Sequence, residues 1–233
     1  MIRGFYAAKT GMISQQNALN VISNNVSNIN TIGFKPQVTA FASLLYQNID
    51  GGAGALISTG SGSKVQKIGI DFTRGEMEPT GRELDNAIDG DGFFGVLNKE
   101  TNLTTYTRDG VFHISVEGDQ QFLVDAIGNY VLGKDGNPLN VTAGYDSELI
   151  GVFSFPNTYG LQLLGGNQFA ATNVSGQPQV DNISIIRSGY TESSATDSAT
   201  EMVKVLQANS AFSFNARIVQ STDEMEKTVN QLR

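Results

Sequence analysis

No cysteine occurs in the 233 residues, and there is a single histidine, His113. Disulfides, thiolate nucleophiles and cysteine-based metal sites are excluded, and one imidazole alone does not furnish the ligands of a zinc site. Charge is scarce: Asp, Glu, Lys and Arg make up 16% of the chain, against a norm of about 25%. The net charge is −8 and no long Lys/Arg block is present, which argues against nucleic acid as a partner. Long apolar runs are missing too. The stretch around residues 149–155 falls far short of the ~18 residues a membrane span requires, so membrane insertion is not expected. Residues 1–13 contain Arg3 and Lys9 but no continuous apolar stretch and no small-residue cleavage site, unlike a cleaved secretory signal.

The scarcity is most pronounced at the start. The first 49 residues contain no Asp or Glu, and Arg3, Lys9 and Lys35 are their only charges. Within this stretch Phe5, Ala8, Met12, Gln15, Leu19, Ile22, Val26 and Ile29 recur at alternating spacings of three and four. That periodicity predicts a helix from Ile2 to Ile29 with a heptad seam. Asn24, Asn25, Asn28 and Asn30 weaken it, and Gly33 with Pro36 ends it. A second heptad pattern runs through Met202, Val205, Asn209, Phe212, Ala216 and Val219, slips in phase near Thr222, and resumes at Met225, Val229 and Leu232. Neither helix would be stable alone, so the two ends are expected to pair. A water-facing coiled coil normally carries Glu and Lys beside its seam. The Ser, Thr, Asn and Gln found here suit a surface that neighbours will cover, where each buried charge would need a partner. The alternative is a helical hairpin within a monomer; the first seam spans ~37 Å, long for that purpose.

Between the helices the period changes. Residues 37–81 read as irregular, with a flexible Gly/Ser-rich loop at 51–63. From about residue 84 to 187, short β-prone runs alternate with turn pairs such as Asp109-Gly110, Glu117-Gly118, Gly128-Asn129 and Asp135-Gly136. Closely spaced hairpin signals predict a mostly antiparallel β domain. The span 83–187 holds most of the aromatics and is expected to bury its own core. The fold class is thus α+β. Residues 1–36 and 193–233 form a discontinuous terminal coiled-coil domain, 37–83 an extended connector, and 84–192 the inserted β domain.

Sequences that could carry chemistry do not hold together. Gly90-Asp91-Gly92-Phe93-Phe94-Gly95 matches G-x-G-x-x-G but leads into strand-like Val96 and Leu97 instead of a helix, so no dinucleotide site is expected. Asp89, Asp91 and Glu100 imitate the start and end of a calcium loop, yet Phe93 and Phe94 stand where a ligand and the obligatory Gly belong. His113 lies in a strand-like run with no nucleophile apparent beside it. The chain is read as no enzyme, with no cofactor and no metal.

Five ordered blocks resemble the flagellar basal-body rod and hook protein family over nearly the whole chain. The first is Thr10-Gly11-Met12, Gln15-Gln16, Asn24-Asn25, Asn28 and Asn30-Thr31 through Gly33-Phe34-Lys35. The second runs from Phe72-Thr73 and Gly75 through Thr80-Gly81, Leu84-Asp85 and Ala87-Ile88 into Gly90-Asp91-Gly92-Phe93-Phe94. Thr107-Arg108-Asp109-Gly110 with Phe112 is the third, and Gly165-Gly166-Asn167 with Phe169 and Thr172 the fourth. Glu201-Met202-Val203, Asn215 and Thr222-Asp223-Glu224-Met225 close the series. After Gly189-Tyr190 the pattern departs from the family, with Ser193, Ser194 and Ala195 following Glu192, and Asn209-Ser210-Ala211-Phe212-Ser213 lacks an Arg and a Glu common in the terminal helix.

The resemblance implies a structural subunit of the basal-body rod, exported by the flagellar type III apparatus without a cleaved signal and polymerised helically outside the inner membrane. Its implied partners are further copies of itself, other rod and hook subunits, and the export apparatus. A hook-type subunit is the alternative within the family, disfavoured by the modest length; a monomeric β-domain binding module is the alternative outside it. The expected assembly seam comprises Phe5, Ala8, Met12, Leu19, Ile22, Val26 and Ile29 at one end and Met202, Val205, Phe212, Val219, Met225, Val229 and Leu232 at the other.

Overall fold

The computed structural model describes residues 2–50, 56–142 and 144–232. It divides into two compact units: residues 1–27, 37–71 and 197–233 form unit 1, and residues 28–36 and 72–196 form unit 2. The α+β class expected from the sequence is found, with a helix near each end and a mostly antiparallel β-rich middle.

Unit 1 contains α1 (Ile2–Ser27), α2 (Ser198–Gln231) and four strands: β1 (Gln37–Ser43), β2 (Tyr46–Asp50), β3 (Leu56–Gly60) and β4 (Ser63–Ile70). Asp197 caps α2, its carboxylate accepting from the amides of Ala199 at 3.2 Å and Thr200 at 3.0 Å. Such a cap satisfies two of the otherwise unbonded N–H groups of the first turn. The phase slip at Thr222 does not interrupt α2, whose backbone remains helical from Ser198 to Gln231; the Thr222 hydroxyl donates to the Ile218 carbonyl one turn back at 2.7 Å. The two helices pack antiparallel. Gly11 lies so close under Asn215 that a Cβ there would come within 2.9 Å of the amide nitrogen, and Asn25 meets Glu201 at 3.5 Å. Fourteen residues separate these contacts on either helix. Continuing the same pairing sets Ile2 level with Glu224, so residues 225–231 of α2 extend past the start of α1.

Two expectations are corrected here. Residues 37–81 are not irregular: β1 pairs antiparallel with β4 from Gln37↔Ile70 to Ser43↔Ser63, and β2 with β3 from Tyr46↔Gly60 to Asp50↔Leu56. A bulge beside Ala40/Phe41 breaks the register and with it the strict alternation that would have announced a strand. Of the loop expected at 51–63, residues 51–55 lie outside the described residues, while 56–60 and 63 are strand. The second correction concerns Asn24 and Asn25, which do not degrade the helix but remain within it. Asn25 is buried and clasps the first residue of β1 both ways, its Nδ2 donating to the Gln37 carbonyl at 2.8 Å and its Oδ1 accepting from the Gln37 amide at 2.9 Å.

Unit 2 begins its strands with β5 (Met77–Pro79), β6 (Asn86–Asp89), β7 (Phe93–Leu97) and β8 (Thr104–Thr107). It continues with β9 (His113–Glu117), β10 (Gln120–Val124), β11 (Tyr130–Val131), β12 (Val152–Ser154) and β13 (Gln162–Gly165). The last are β14 (Gln168–Ala170), β15 (Gln179–Val180), β16 (Ile185–Ser188) and β17 (Tyr190–Glu192). The main sheet has the order β13-β14-β8-β7-β11-β10-β9, with β12 on β7 and β15 on β12; β16 pairs β6, and β17 pairs β5. All of these pairings are antiparallel. Ile88, Phe94, Val96, Phe112, Leu123, Val131, Ile150 and Val152 form the core, Phe94 and Phe112 meeting edge to face with centroids 5.1 Å apart. The G-x-G-x-x-G run enters β7 as expected, and Asp89 and Asp91 of the abandoned calcium loop are held by Arg74.

Candidate functional site

Unit 1 is poor in buried apolar side chains. Among the described residues they are Ala8, Ala18, Val21, Ile22 and Ala208. Three of the five are alanines, so the helices approach closely but remove little apolar area from water. Of the fourteen expected seam residues, Ala8 and Ile22 are buried in the single chain. Met12, Leu19, Ile29, Val205, Phe212 and Val219 are half-buried. Phe5, Val26, Met202, Met225, Val229 and Leu232 are exposed.

The exposed apolar residues of α2 are organised. Among the described residues, six of the eight exposed large apolar side chains of α2 and its C-cap, Val203, Phe214, Ile218, Met225, Val229 and Leu232, fall within an arc of about 80° at 100° per residue, and Met202 and Leu206 lie to one side of it. All are exposed, Phe214 by 62% and Leu232 by 84%. Sequence periodicity identified three of these six; Val203, Phe214 and Ile218 belong to a second stripe offset from the heptad pattern and were missed. Between α1, α2 and β1 opens a cleft of ≈ 360 Å³ with apolar walls from Ala18, Val21, Ile22 and Phe41. Buried Glu201 reaches it, accepting from Lys204 at 2.6 Å.

Unit 2 holds a different feature, a buried cluster of charge. Glu192, at the end of β17, is 2% exposed and accepts from Lys35 Nζ at 2.5 Å on one oxygen and from Arg108 Nη1 at 3.2 Å on the other. The first oxygen also accepts from the Gly75 amide at 2.9 Å. Lys35 donates further to the Thr73 carbonyl and Arg108 to that of Gly90, and Arg108 stacks 5.1 Å from the Phe93 ring centroid. Burial pushes the Arg108 guanidinium down from its ordinary value, and Glu192 opposes that. Gly33 closes the arrangement: its φ of +65° and its contact with the Arg108 backbone, within 2.6 Å of any Cβ, leave room for glycine alone. The cluster thus draws residues 33–35 and 192 onto the turn at 108. The one signal that could have revealed it is Lys35, the lone charge between Lys9 and Asp50.

Three stretches of the chain match known family descriptions. The description "Flagella basal body rod protein" matches residues 5–35, "Flagellar hook protein FlgE/F/G D1 domain" residues 87–190, and "Flagellar basal body rod FlgEFG protein C-terminal" residues 187–232. The chain is 31% identical to the flagellar basal-body rod protein FlgG of Bacillus subtilis (strain 168), with 100% of both chains covered. It is 30% identical to that of Buchnera aphidicola subsp. Acyrthosiphon pisum, again over 100% of both. To the flagellar hook protein FlgE of Helicobacter mustelae it is 34% identical, but over 56% of this chain and 29% of that protein.

Proposed function

Because the chain belongs to the flagellar basal-body rod protein family and is a structural subunit of the rod, we propose that unit 1 is the part through which copies polymerise. The family is structural and not a known enzyme family, its place is the basal-body rod, and it assembles with other rod and hook components. The observation that carries the proposal is the exposed apolar stripe of α2 on a helix pair that fully buries few large apolar side chains. A single copy leaves those side chains in water; a helical array of copies covers them, each contributing about 1.5–3 kcal/mol on burial. In this reading residues 1–27, 37–71 and 197–233 act as the assembly domain, and the α1–α2 contact is propagated between copies as a coiled-coil lattice. The subunit reaches its place by the flagellar type III route. A hook-type role is not favoured, since the hook relative is matched over less than a third of its length.

Phe214→Asp tests this. Phe214 is exposed, so the change should leave the single chain within about 0.5 kcal/mol of its original stability. Expressed in a strain lacking the native gene, the variant should be secreted without forming rods, and the cells should not swim. Normal rods and motility would contradict the proposal.

A further inference from the structure

Charge is segregated within unit 1. In unit 1 up to residue 71 the acids are Asp50 and Asp71, against Arg3, Lys9, Lys64 and Lys67. The last turns of α2 carry the opposite sign, with Asp223, Glu224 and Glu226 against Lys227. Lys227 already bonds Asp223 at 2.7 Å, whereas exposed Glu224 and Glu226 make no ion pair among the described residues. Met225, Val229 and Leu232, spaced four and three, form one apolar side of this segment, and Glu224 and Glu226 flank it on either hand at 100° per residue. Among the described residues no part of α1 lies opposite residues 225–231.

A surface of matching character exists on the β1–β4 hairpin. Its register places Val38, Ala40 and Ala42 on one side of β1, across from Gly69, Lys67 and Lys64 of β4. Val38, Ala40, Lys64 and Lys67 are exposed. The other side of the hairpin faces α1, where Gln37 and Val65 share a depression with Asn17 and Val21. Ala40 and Ala42, bordered by Lys67 and Lys64, line neither this depression nor the cleft between α1, α2 and β1, whereas Val38 at the end of the row also lines that cleft. The acidic end of α2 cannot fold back onto this row: α2 is one continuous helix, and its end lies level with Ile2, while the hairpin is fastened to α1 at Thr10, Ser14 and Asn25.

We propose that residues 225–232 of one copy dock on the outer side of the β1–β4 hairpin of a second copy. Met225, Val229 and Leu232 lie against Val38, Ala40 and Ala42, with Glu224 and Glu226 directed toward Lys64 and Lys67. The two surfaces differ, so the contact is head to tail and repeats without closing on itself, which extends a polymer. The inference rests on the reading that the chain polymerises, and it names the contact by which it does so.

The absence of cysteine allows a direct test. Thr228→Cys and Ala40→Cys, both at exposed positions, are introduced into one chain and expressed in cells lacking the native gene, and isolated basal bodies are oxidised. The expected result is a ladder of disulfide-linked dimers, trimers and longer chains that neither single variant gives. Lys64→Glu with Lys67→Glu should abolish both ladder and rods, and adding Glu224→Lys with Glu226→Lys should restore them. Intact rods with no ladder, or rods indifferent to the lysine reversals, would overturn the docking while leaving the polymerisation reading in place. Dimers from Thr228→Cys alone would also overturn it, since they place two copies of the same surface together. A chain that is secreted but forms no rods without any substitution would overturn both.

Discussion

Unit 2 and unit 1 spend their hydrophobic residues in opposite ways. In unit 2, Phe93, Phe94, Phe112, Leu123, Val131 and Ile150 are fully sealed from water, and even the charges of Lys35, Arg108 and Glu192 are buried in mutual contact. In unit 1 the interface between helices is alanine-rich, and eighteen large apolar side chains stand exposed among the described residues. A unit that completes its core within one chain can fold in dilute solution. One that leaves an ordered stripe uncovered has part of its stability held in reserve for a neighbour.

The contrast can be broken first in unit 2. Glu192→Gln leaves two buried cations without a counter-charge, a loss of about 3–5 kcal/mol. Chemical denaturation of the whole chain should show it as a lower midpoint for the β-rich transition, with no change in the helical signal that reports unit 1. Lys35→Met should be milder, because Glu192 keeps Arg108 and the Gly75 amide. One charge-assisted bond is forfeited, about 1.5–3 kcal/mol, and the same denaturation series should rank it between wild type and Glu192→Gln. Limited proteolysis sharpens the comparison from the other side. Nicking of the unassembled chain should begin near 225–232, where α2 has no partner, and spare the strands of unit 2.

The smallest expected effect is at the α2 cap. The Asp197 carboxyl is held below the ordinary aspartate range by the Thr200 hydroxyl and by the amides of Thr200 and Ala199. Its folded pKa lies below its unfolded value, so the cap contributes fully above the unfolded pKa of ~3.9 and is lost as pH falls through the lower folded value. Asp197→Ala should therefore lower the helical melting temperature slightly and constantly at neutral pH, and the difference should vanish in acid. A deficit that persists unchanged at low pH would show that the carboxylate is not the cap.

Sequence made some of this legible and hid the rest for definite reasons. The helices announced themselves because a heptad of apolar residues persists for seven turns. The β domain did so because Gly-containing turn pairs recur between short strands. The β1–β4 hairpin escaped because its bulge and its Ala, Ser and Gly residues blur the period of two. The second stripe on α2 escaped because Val203, Phe214 and Ile218 lie off the heptad, where a single pattern cannot register a second face. The buried cluster joins residues 35, 108 and 192, which no local window contains. For that reason the span 83–187, expected to suffice by itself, omits Glu192, the counter-charge its buried Arg108 requires, and Lys35, which shares that carboxylate.

The central claim is that unit 1 is incomplete in one copy and completed by others, while unit 2 is complete from the start. Amide hydrogen exchange compares the two states directly, on the secreted monomer and on the isolated rod. Amides of α1 and α2 should exchange quickly in the monomer and slow markedly in the rod, with β7, β8 and β10 equally protected in both. Protection of α1 and α2 in the monomer that already equals their protection in the rod would contradict the account.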